Sequence, residues 1–260
     1  MQKTIKLGAL ISGGGTNLQA IIDCCESGKI NAQMAFVGSD TPNARGLERA
    51  KQHNIPHFVV DYTQFIKTHQ EHPLPVDYDP EEIYQKQNIF SKSSEDRKKV
   101  KQLLSSRILA ERSLLNNMAN YDFDLLVLAG FMRNLTPYFI DRINTGHPLP
   151  RIMNIHPALL PSFPGTDGYG DTFNYGCKVG GCTVHFVDYG EDSGPIIGQK
   201  SFAVTPEDTE ESIRKKGLAL EWELYPECIQ LFAENRLKLQ VNTSKKNRPL
   251  KNRLTVVVLN

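Results

Sequence analysis

The fold of this chain is decided by the stretch Ile5-Lys6-Leu7-Gly8-Ala9-Leu10-Ile11-Ser12-Gly13-Gly14-Gly15-Thr16-Asn17, in which an apolar run leads directly into three glycines. The run over Ile5–Ser12 predicts a buried strand, and the stretch from Asn17 to Cys25 predicts a helix after the glycine turn. A strand, a helix and another strand are then predicted over Ala35–Gly38, Asn43–Gln52 and His57–Val60. This β-α-β-α-β order predicts a mostly parallel α/β sheet that is flanked by helices and has right-handed crossovers.

The same alternation continues along the chain after one interruption. The segment 62–101 is polar and contains three prolines and the charged cluster 95–99. It predicts a partly helical surface insertion that acts as a lid or an interaction feature.

We expect a single domain over 1–240, followed by an extension over 241–260. The other predicted elements are a helix over Leu104–Met118, a strand over Leu125–Ala129, a helix over Pro137–Ile143, a strand that ends at Asn154, strands over Gly181–Val187 and Ile196–Val204, a helix over Thr209–Ala233 behind the start signal Thr205-Pro206-Glu207-Asp208, and an edge strand over Thr255–Leu259.

Composition narrows the class of protein. The 260 residues include 30 basic and 29 acidic side chains, and a net charge of +1 gives no electrostatic footprint for nucleic acid or a membrane surface. No apolar run is as long as a membrane span, and the N-terminus resembles no signal sequence. Five cysteines, an odd number without a Cys-x-x-Cys pair, argue against a disulfide framework and a zinc site. We expect a cytoplasmic monomer or homodimer that binds small molecules.

The glycine loop between the first strand and the first helix is a candidate phosphate site. Small residues let backbone N–H groups approach an anion closely, and the helix N-terminus adds a favourable dipole. The loop lacks the lysine of a Walker loop and the spacing of the dinucleotide fingerprint, so a tight turn without a ligand is the alternative. Its place in the first strand-to-helix turn of the sheet favours phosphate binding.

A second candidate site lies where the later strand ends. Asn154 and His156 are two residues apart, so continued strand geometry would direct both side chains to the same side of the backbone. An imidazole beside an amide can stabilise a developing oxyanion, although a strand-end histidine is often structural. Asp192, in the carboxylate-rich loop 190–195, would favour the imidazolium form if it faced His156. His185 is either a neighbour of these groups or a core histidine bonded to the backbone.

A third candidate is Gly130-Phe131-Met132-Arg133-Asn134-Leu135, at the end of another predicted strand. Apolar and aromatic side chains around one arginine suit a flat heterocycle with a polar edge. The alternative is a turn into a helix with a surface arginine.

Taken together, these motifs resemble one family, the folate-dependent phosphoribosylglycinamide formyltransferases of purine biosynthesis. The resemblance covers about Lys6 to Leu239 and implies a Rossmann-like formyltransferase fold. Its motifs stand in order at 11–21, at 127–133 (Val-Leu-Ala-Gly-Phe-Met-Arg), at 153–161 (Met-Asn-Ile-His-Pro-Ala-Leu-Leu-Pro), at 183–187 (Thr-Val-His-Phe-Val) and at 224–226 (Leu-Tyr-Pro).

The resemblance implies a reaction and a set of site residues. The formyl group of 10-formyltetrahydrofolate, a co-substrate, would pass to the amine of 5-phosphoribosylglycinamide without a metal. His156 would act as general acid, supported by Asn154 and Asp192. A phosphate-binding half, about 1–135, would precede a catalytic and folate-binding half, about 130–240. The binding residues so implied are Gly15, Thr16, Asn17 and, near the amine, Glu221 for phosphoribosylglycinamide; Arg107 (before a helix), Met132, Arg133, Asn134, Leu135 and Asn154 for the folate; and His185 in support.

One loop departs from the family pattern. After Pro164-Gly165 the family usually continues with an Ala-His pair, whereas residues 166–173 here read Thr-Asp-Gly-Tyr-Gly-Asp-Thr-Phe. Tyr169 or Asp171 could replace the missing histidine on the acceptor side. A sugar-nucleotide formyltransferase is therefore an alternative.

Other functions fit the sequence less well. A formyltetrahydrofolate hydrolase would use the same three catalytic groups, but it is expected to carry a regulatory domain before the first strand. A methionyl-tRNA formyltransferase would need a basic C-terminal domain for its tRNA. A binding-only folate or nucleotide sensor would have no reason to keep Asn154, His156 and Asp192 together.

Overall fold

The computed structural model describes residues 3–71, 77–92, 96–242 and 253–259. Strands and helices alternate through most of this length, as the sequence predicts. In chain order they are β1 (Ile5–Ile11), α1 (Thr16–Glu26), β2 (Ala32–Ser39), α2 (Gly46–Gln52), β3 (His57–Val59), α3 (Tyr62–Glu71), α4 (Pro80–Lys86), α5 (Arg97–Met118), β4 (Leu125–Leu128), α6 (Pro137–Asn144), β5 (Ile152–His156), α7 (Gly168–Asn174), β6 (Val179–Phe186), β7 (Ile196–Ala203), α8 (Glu210–Ala233), β8 (Leu237–Val241) and β9 (Leu254–Val258).

The main sheet has the strand order β3-β2-β1-β4-β5-β6-β7. The first five of these strands run parallel, and β6 pairs antiparallel with both β5 and β7. The predicted mostly parallel, helix-flanked α/β fold is therefore confirmed. The β5–β6 register sets Asn154 opposite His185 and His156 opposite Thr183, which brings two predicted site residues side by side.

Helices cover both faces of this sheet. Leu7, Ala9 and Ile11 of β1 are fully buried in one apolar cluster with residues of α1 and α8. Leu10 points to the other face and packs in a second cluster with residues of α5 and α6. With both faces covered, polar groups that must reach a ligand are left to the strand ends and loops.

The described part of the segment 62–101 is largely helical, as predicted, and it packs on the rest of the domain. Its described residues form α3, α4 and the first turn of α5. Ile83, Tyr84 and Val100 are buried in a third apolar cluster with residues of α5 and α6. The polar composition of the segment conceals this packing, because a few apolar residues suffice to line the buried side of a short helix.

α5 begins at Arg97, well before the predicted start at Leu104. Arg107 lies inside this helix and not before a helix, as the family resemblance implied. The added residues include Arg97 and Lys101, which both bind the Glu81 carboxylate of α4 and so stabilise this part of the helix. A contact between helices that are distant in sequence cannot be recognised from local pattern, so the prediction of this boundary was wrong.

The C-terminal strand forms, but not as an edge of the main sheet. β9 pairs antiparallel with β8 in a separate two-stranded sheet. Residues 243–252 of the predicted extension lie outside the described residues. Among the described helices, none combines the length and the apolar character that a membrane crossing requires.

Candidate active site

The C-terminal ends of β4 and β5 open onto a cavity of about 300 Å³, which Asn17 of α1 also lines. Open α/β sheets usually bind ligands at this edge. Three predicted residues, Gly15, Thr16 and Arg107, do not line it. The predicted residues that do line it are Asn17, Met132, Arg133, Asn134, Leu135, Asn154, His156, His185, Asp192 and Glu221.

His156 closes β5 and is held at both ring nitrogens. Nδ1 lies 3.1 Å from Asp192 Oδ2, and Nε2 lies 2.7 Å from the carbonyl oxygen of Phe163. Both partners are acceptors, so the doubly protonated imidazolium satisfies both contacts. Burial acts to lower the pKa of His156, but the hydrogen bond to Asp192 and its negative charge outweigh burial and raise this pKa above its ordinary value.

Asp192 accepts hydrogen bonds from two sides. Besides His156, the backbone N–H of Gly165 donates to Oδ2 at 2.9 Å. Burial acts to raise the pKa of this carboxyl, but His156, the nearby His185 and the N–H of Gly165 together hold the pKa well below its usual range. The backbone of Asp192 has φ 48°, in the left-handed region that aspartate tolerates better than most residues. The site thus holds an ionised carboxylate against the imidazole.

His185 orients Asn154. Its Nδ1 lies 2.9 Å from the carbonyl oxygen of Phe186, which places the ring proton on Nδ1. With that proton on Nδ1, Nε2 can accept from Asn154 Nδ2, which lies 3.2 Å away. The 3.6 Å between Nε2 and Asp192 Oδ1 is too long for a hydrogen bond. In this arrangement the second N–H and the oxygen of the Asn154 amide stay available to the cavity.

The glycine loop is shaped by its contact with α2. Gly15 has φ 68°, and a Cβ there would lie 2.8 Å from the Cα of Gly46, so the close approach requires glycine. Arg49 of α2 donates from Nε to the carbonyl oxygen of Gly14 at 2.9 Å. The N–H of Met132 donates to Ser12 Oγ at 2.8 Å, which ties this loop to the predicted folate edge.

The side chain of Asn17 turns from the loop towards Glu221 of α8. Asn17 Nδ2 donates to Glu221 Oε2 at 2.6 Å, and the Tyr169 hydroxyl donates to Oε1 at 2.5 Å. Of the two candidates for the missing histidine, Tyr169 therefore lines the cavity, whereas Asp171 is exposed outside it.

The predicted folate edge combines an apolar surface with anchored polar groups. Met132 is 59% exposed, whereas Leu135 is buried. Arg133 Nε donates to the buried Asp40 at 2.6 Å, and Asn134 Nδ2 donates to Glu191 at 3.1 Å. An exposed thioether framed by fixed polar groups suits a flat heterocycle.

Arg107 lies behind this edge, within α5. Its guanidinium carbon is 5.2 Å from the centre of the Phe90 ring, and its Nη1 is buried without a hydrogen-bond partner. Burial lowers the pKa of Arg107, while the nearby Glu111 raises it. The geometry leaves one donor of this guanidinium unused.

Two arginines near the site, Arg49 and Arg214, are not among the residues predicted from the sequence. Arg214 lines the cavity from α8 and donates to Asp167 at 3.0 Å. In the sequence each of these arginines is one of several charged residues on a predicted helix. Only the fold shows that Arg49 reaches the glycine loop and that Arg214 reaches the cavity. Within the described ranges, no group of three or more His, Cys, Asp or Glu side chains is arranged to hold a metal ion.

Comparison with known proteins places this geometry in a family. The formyl transferase family model matches residues 5–229. Phosphoribosylglycinamide formyltransferase of Haemophilus influenzae is 35% identical over 237 residues, which cover 91% of either chain. That of Escherichia coli is 34% identical over 90% of either chain. Among solved structures, glycinamide ribonucleotide transformylase 1 from Symbiobacterium toebii is 35% identical, with a TM-score of 0.69 over 99% of this chain and 95% of its own. The chain therefore belongs to the formyl transferase family, and within it to the phosphoribosylglycinamide formyltransferases that its motifs resemble.

Proposed function

We propose that this enzyme transfers the formyl group of 10-formyltetrahydrofolate to the amine of 5-phosphoribosylglycinamide in de novo purine biosynthesis. The observation that carries the proposal is one cavity whose wall combines the His156–Asp192 pair, Asn154 and the Met132–Leu135 edge, beside a glycine loop. The names of the relatives agree with this reaction. Five free cysteines suit a reducing cytoplasm, where we place the enzyme.

Both substrates have a place in this proposal. The phosphate of the acceptor binds at the start of α1, where backbone N–H groups of Gly15, Thr16 and Asn17 and the helix dipole favour an anion. Arg49, fixed on the same loop, adds a positive charge. The folate lies along Met132–Leu135, with Arg107 on the folate side.

The chemistry follows from the protonation states. The acceptor amine attacks the formyl carbon on N10 of the folate, and the carbonyl oxygen becomes an oxyanion. The Asn154 amide and the His156 imidazolium donate to that oxygen, and a donor of this kind typically contributes about 3 kcal/mol in the transition state. No metal takes part in these steps.

His156 must change one contact to take this role. Both of its N–H groups have acceptors in the structure, Asp192 and the Phe163 carbonyl. The hydrogen bond from Nδ1 to Asp192 keeps the imidazole positively charged. Nε2 is therefore the group that turns to the oxyanion, and it releases the Phe163 carbonyl. Phe163 and Gly165 have φ 53° and 113°, so the turn that must shift is one of unusual backbone conformation.

Proton transfer completes the reaction. The attacking amine gains a positive charge and must lose a proton, while N10 must gain one before the C–N10 bond breaks. Asp192, ionised at neutral pH, can hold a water that accepts the first proton and delivers it to N10. The formyl group then remains on the acceptor as an amide, and tetrahydrofolate leaves.

The test measures loss of the formyl group from 10-formyltetrahydrofolate with three acceptors in parallel. They are 5-phosphoribosylglycinamide, an amino-sugar nucleotide, and water alone. We expect turnover with the first only. Equal turnover in water alone would identify a hydrolase, and preference for the amino-sugar nucleotide would identify the other alternative; either result contradicts the proposal.

A further inference from the structure

Tyr169 occupies the loop that departs from the family pattern, and it is almost completely buried, with 2% of its surface exposed. A buried phenol must place its hydroxyl on a partner, because an unpaired one is costly. Its partner is Glu221, a carboxylate of α8 that is itself 4% exposed.

The Glu221 carboxylate has one donor on each oxygen. Tyr169 donates to Oε1 at 2.5 Å and Asn17 donates to Oε2 at 2.6 Å. Each carboxylate oxygen can accept more than one hydrogen bond, so acceptor capacity remains on both. The Oδ1 atom of Asn17 is also buried without a partner, although Asn17 lines the cavity. The two Glu221 oxygens therefore keep acceptor capacity at this wall, and Asn17 Oδ1 beside them has no partner.

The chain is shaped around the tyrosine ring. Gly217 lies one helical turn before Glu221 on the same face of α8. A Cβ at Gly217 would lie 2.1 Å from Cζ of Tyr169, so the ring occupies the space that any other residue would fill. A Cβ at Gly168 would lie 2.6 Å from the carbonyl oxygen of Pro157, so the turn into α7 also needs its glycine. Glycine inside a helix lowers stability by about 1 kcal/mol relative to alanine. At Gly217 the space that the Tyr169 ring occupies explains why glycine is present.

The charges around Glu221 come from several elements. His156 of β5 and Arg214 of α8 face it, as do the thiol of Cys182 on β6 and the phenol of Tyr225. Burial raises the pKa of Glu221, and the hydrogen bonds from Tyr169 and Asn17 oppose that rise. Neither donor carries a charge, and burial raises the pKa of Tyr169 itself far above 10. The phenol therefore stays protonated, and remains a donor, at neutral pH.

We infer that Tyr169 is a positioning residue for the acceptor substrate: with the Asn17 amide, its hydroxyl holds the Glu221 carboxylate so that both oxygens accept N–H or O–H donors of that substrate. The phenol takes the place of the histidine that the family usually has in this loop. The inference rests on the proposed function for the identity of the acceptor. The amine and the ribose hydroxyls of that acceptor offer the same donor chemistry, and the experiment distinguishes them.

The test is calorimetric titration of two probes, 5-phosphoribosylglycinamide and ribose 5-phosphate, which lacks the amine. Tyr169→Phe keeps the ring and removes the hydroxyl. Because a hydrogen bond to a charged group is lost, we expect Kd for 5-phosphoribosylglycinamide to rise about 10- to 100-fold. An unchanged Kd for ribose 5-phosphate shows that Glu221 binds the amine, and an equal rise for both probes shows that it binds the ribose.

Three further variants separate positioning from structure. Tyr169→His restores a donor and should recover part of the affinity. Gly217→Ala should weaken binding in the same direction, because its methyl group displaces the phenol. Tyr138→Phe is the matched control, since Tyr138 is equally buried but donates to Asp77, away from the cavity.

The dependence of binding on pH gives an independent readout. Without the Tyr169 hydroxyl the pKa of Glu221 rises further, so affinity in Tyr169→Phe should fall at a higher pH than in the wild type as the solution is acidified. Wild-type Kd values and pH profile in Tyr169→Phe would overturn the inference, as would an equal loss in Tyr138→Phe. Wild-type protein that binds the acceptor but does not formylate it would contradict the proposed function and leave the positioning role intact.

Discussion

His156 is buried against a carboxylate, and this pairing sets the pH range in which its imidazolium form can donate a hydrogen bond to an oxyanion. Its pKa is raised above the ordinary value, so the imidazolium is present below that raised pKa and is lost as pH rises through it. Asp192→Asn removes the negative charge but leaves the burial, so the pKa of His156 should fall. We expect kcat to fall about 100-fold, and its alkaline limb to move to lower pH. A pH profile of kcat for both proteins measures this change.

Glu191→Gln is the matched control for that profile. It makes the same chemical change in the same loop, but Glu191 is exposed and bonds to Asn134 instead of His156. Its alkaline limb should stay where the wild type has it. An unmoved limb in Asp192→Asn would show that Asp192 does not hold His156 protonated.

Glu111 of α5 is a buried carboxyl outside the proposed chemistry. It accepts hydrogen bonds from the backbone N–H and the hydroxyl of Thr136, yet burial raises its pKa from 4.5 to about 7. Between these values the folded protein keeps a proton that the unfolded chain has lost, so the free energy of unfolding decreases as pH rises through this range. At about 1.4 kcal/mol per pH unit, the full penalty above pH 7 is roughly 3 kcal/mol.

Glu111→Gln should remove that penalty and keep both hydrogen bonds, because the amide has one acceptor and one donor for Thr136. We expect the variant to match the wild type near pH 4.5 and to exceed its free energy of unfolding by up to about 3 kcal/mol at pH 8. Urea unfolding at the two pH values measures this difference. The same difference at both pH values would mean that the carboxyl does not titrate in this range.

At the scale of elements, the sequence predicts those strands and helices that depend on the local pattern of apolar and polar residues. β1, β4 and α8 follow from apolar runs and periodicity, and the structure has them within a few residues of the expected bounds. The start signal of α8 was placed a turn too early. Thr205 and Asp208 bond to each other in a turn of their own, and Thr209 and Ser212 form the true capping box.

Elements and contacts that depend on distant residues could not be predicted. α7 is short and contains two glycines, so nothing in its periodicity indicates a helix. The position of Arg49 at the glycine loop depends on the packing of α2 against α1. The pairing of Tyr169 with Glu221 joins residues 52 positions apart, and the missing histidine was the one sign of it in the sequence.

The contact between α2 and the glycine loop yields a prediction for phosphate binding. Arg49→Gln removes a positive charge beside the loop and weakens its anchor at Gly14. A lost charged hydrogen bond corresponds to about a tenfold or greater rise in KM for the acceptor, with KM for the folate unchanged. Steady-state kinetics with each substrate varied in turn measures this. Arg45→Gln, at the exposed N-cap residue of α2, is the control, and an equal effect there would indicate general charge attraction only.

At the scale of the whole molecule, two regions of distant sequence meet the loop that carries Asp192. From the inserted segment, the N–H of Asn88 donates to the carbonyl oxygen of Tyr189 at 2.8 Å. From the C-terminal hairpin, Arg253 donates to the carbonyl oxygen of Ser193 at 3.1 Å. The loop needs such support, because the left-handed backbone of Asp192 is strained by roughly 1–3 kcal/mol. Segments that look peripheral in the sequence therefore help to hold the loop of Asp192, which we propose as a catalytic group.

Arg253→Gln tests this support at its C-terminal end. With the hydrogen bond to Ser193 lost, Asp192 should spend less time against His156, and kcat should fall about two- to fivefold. The KM for the acceptor should not change, because the hydrogen bond of Arg253 supports the Asp192 loop and not the glycine loop. Lys238→Gln removes a positive charge from β8, in the same hairpin, and should leave kcat at the wild-type value. If both variants kept wild-type kcat, the hairpin would have no part in holding the loop, and the left-handed Asp192 would be maintained by Gly165, His156 and the inserted segment instead.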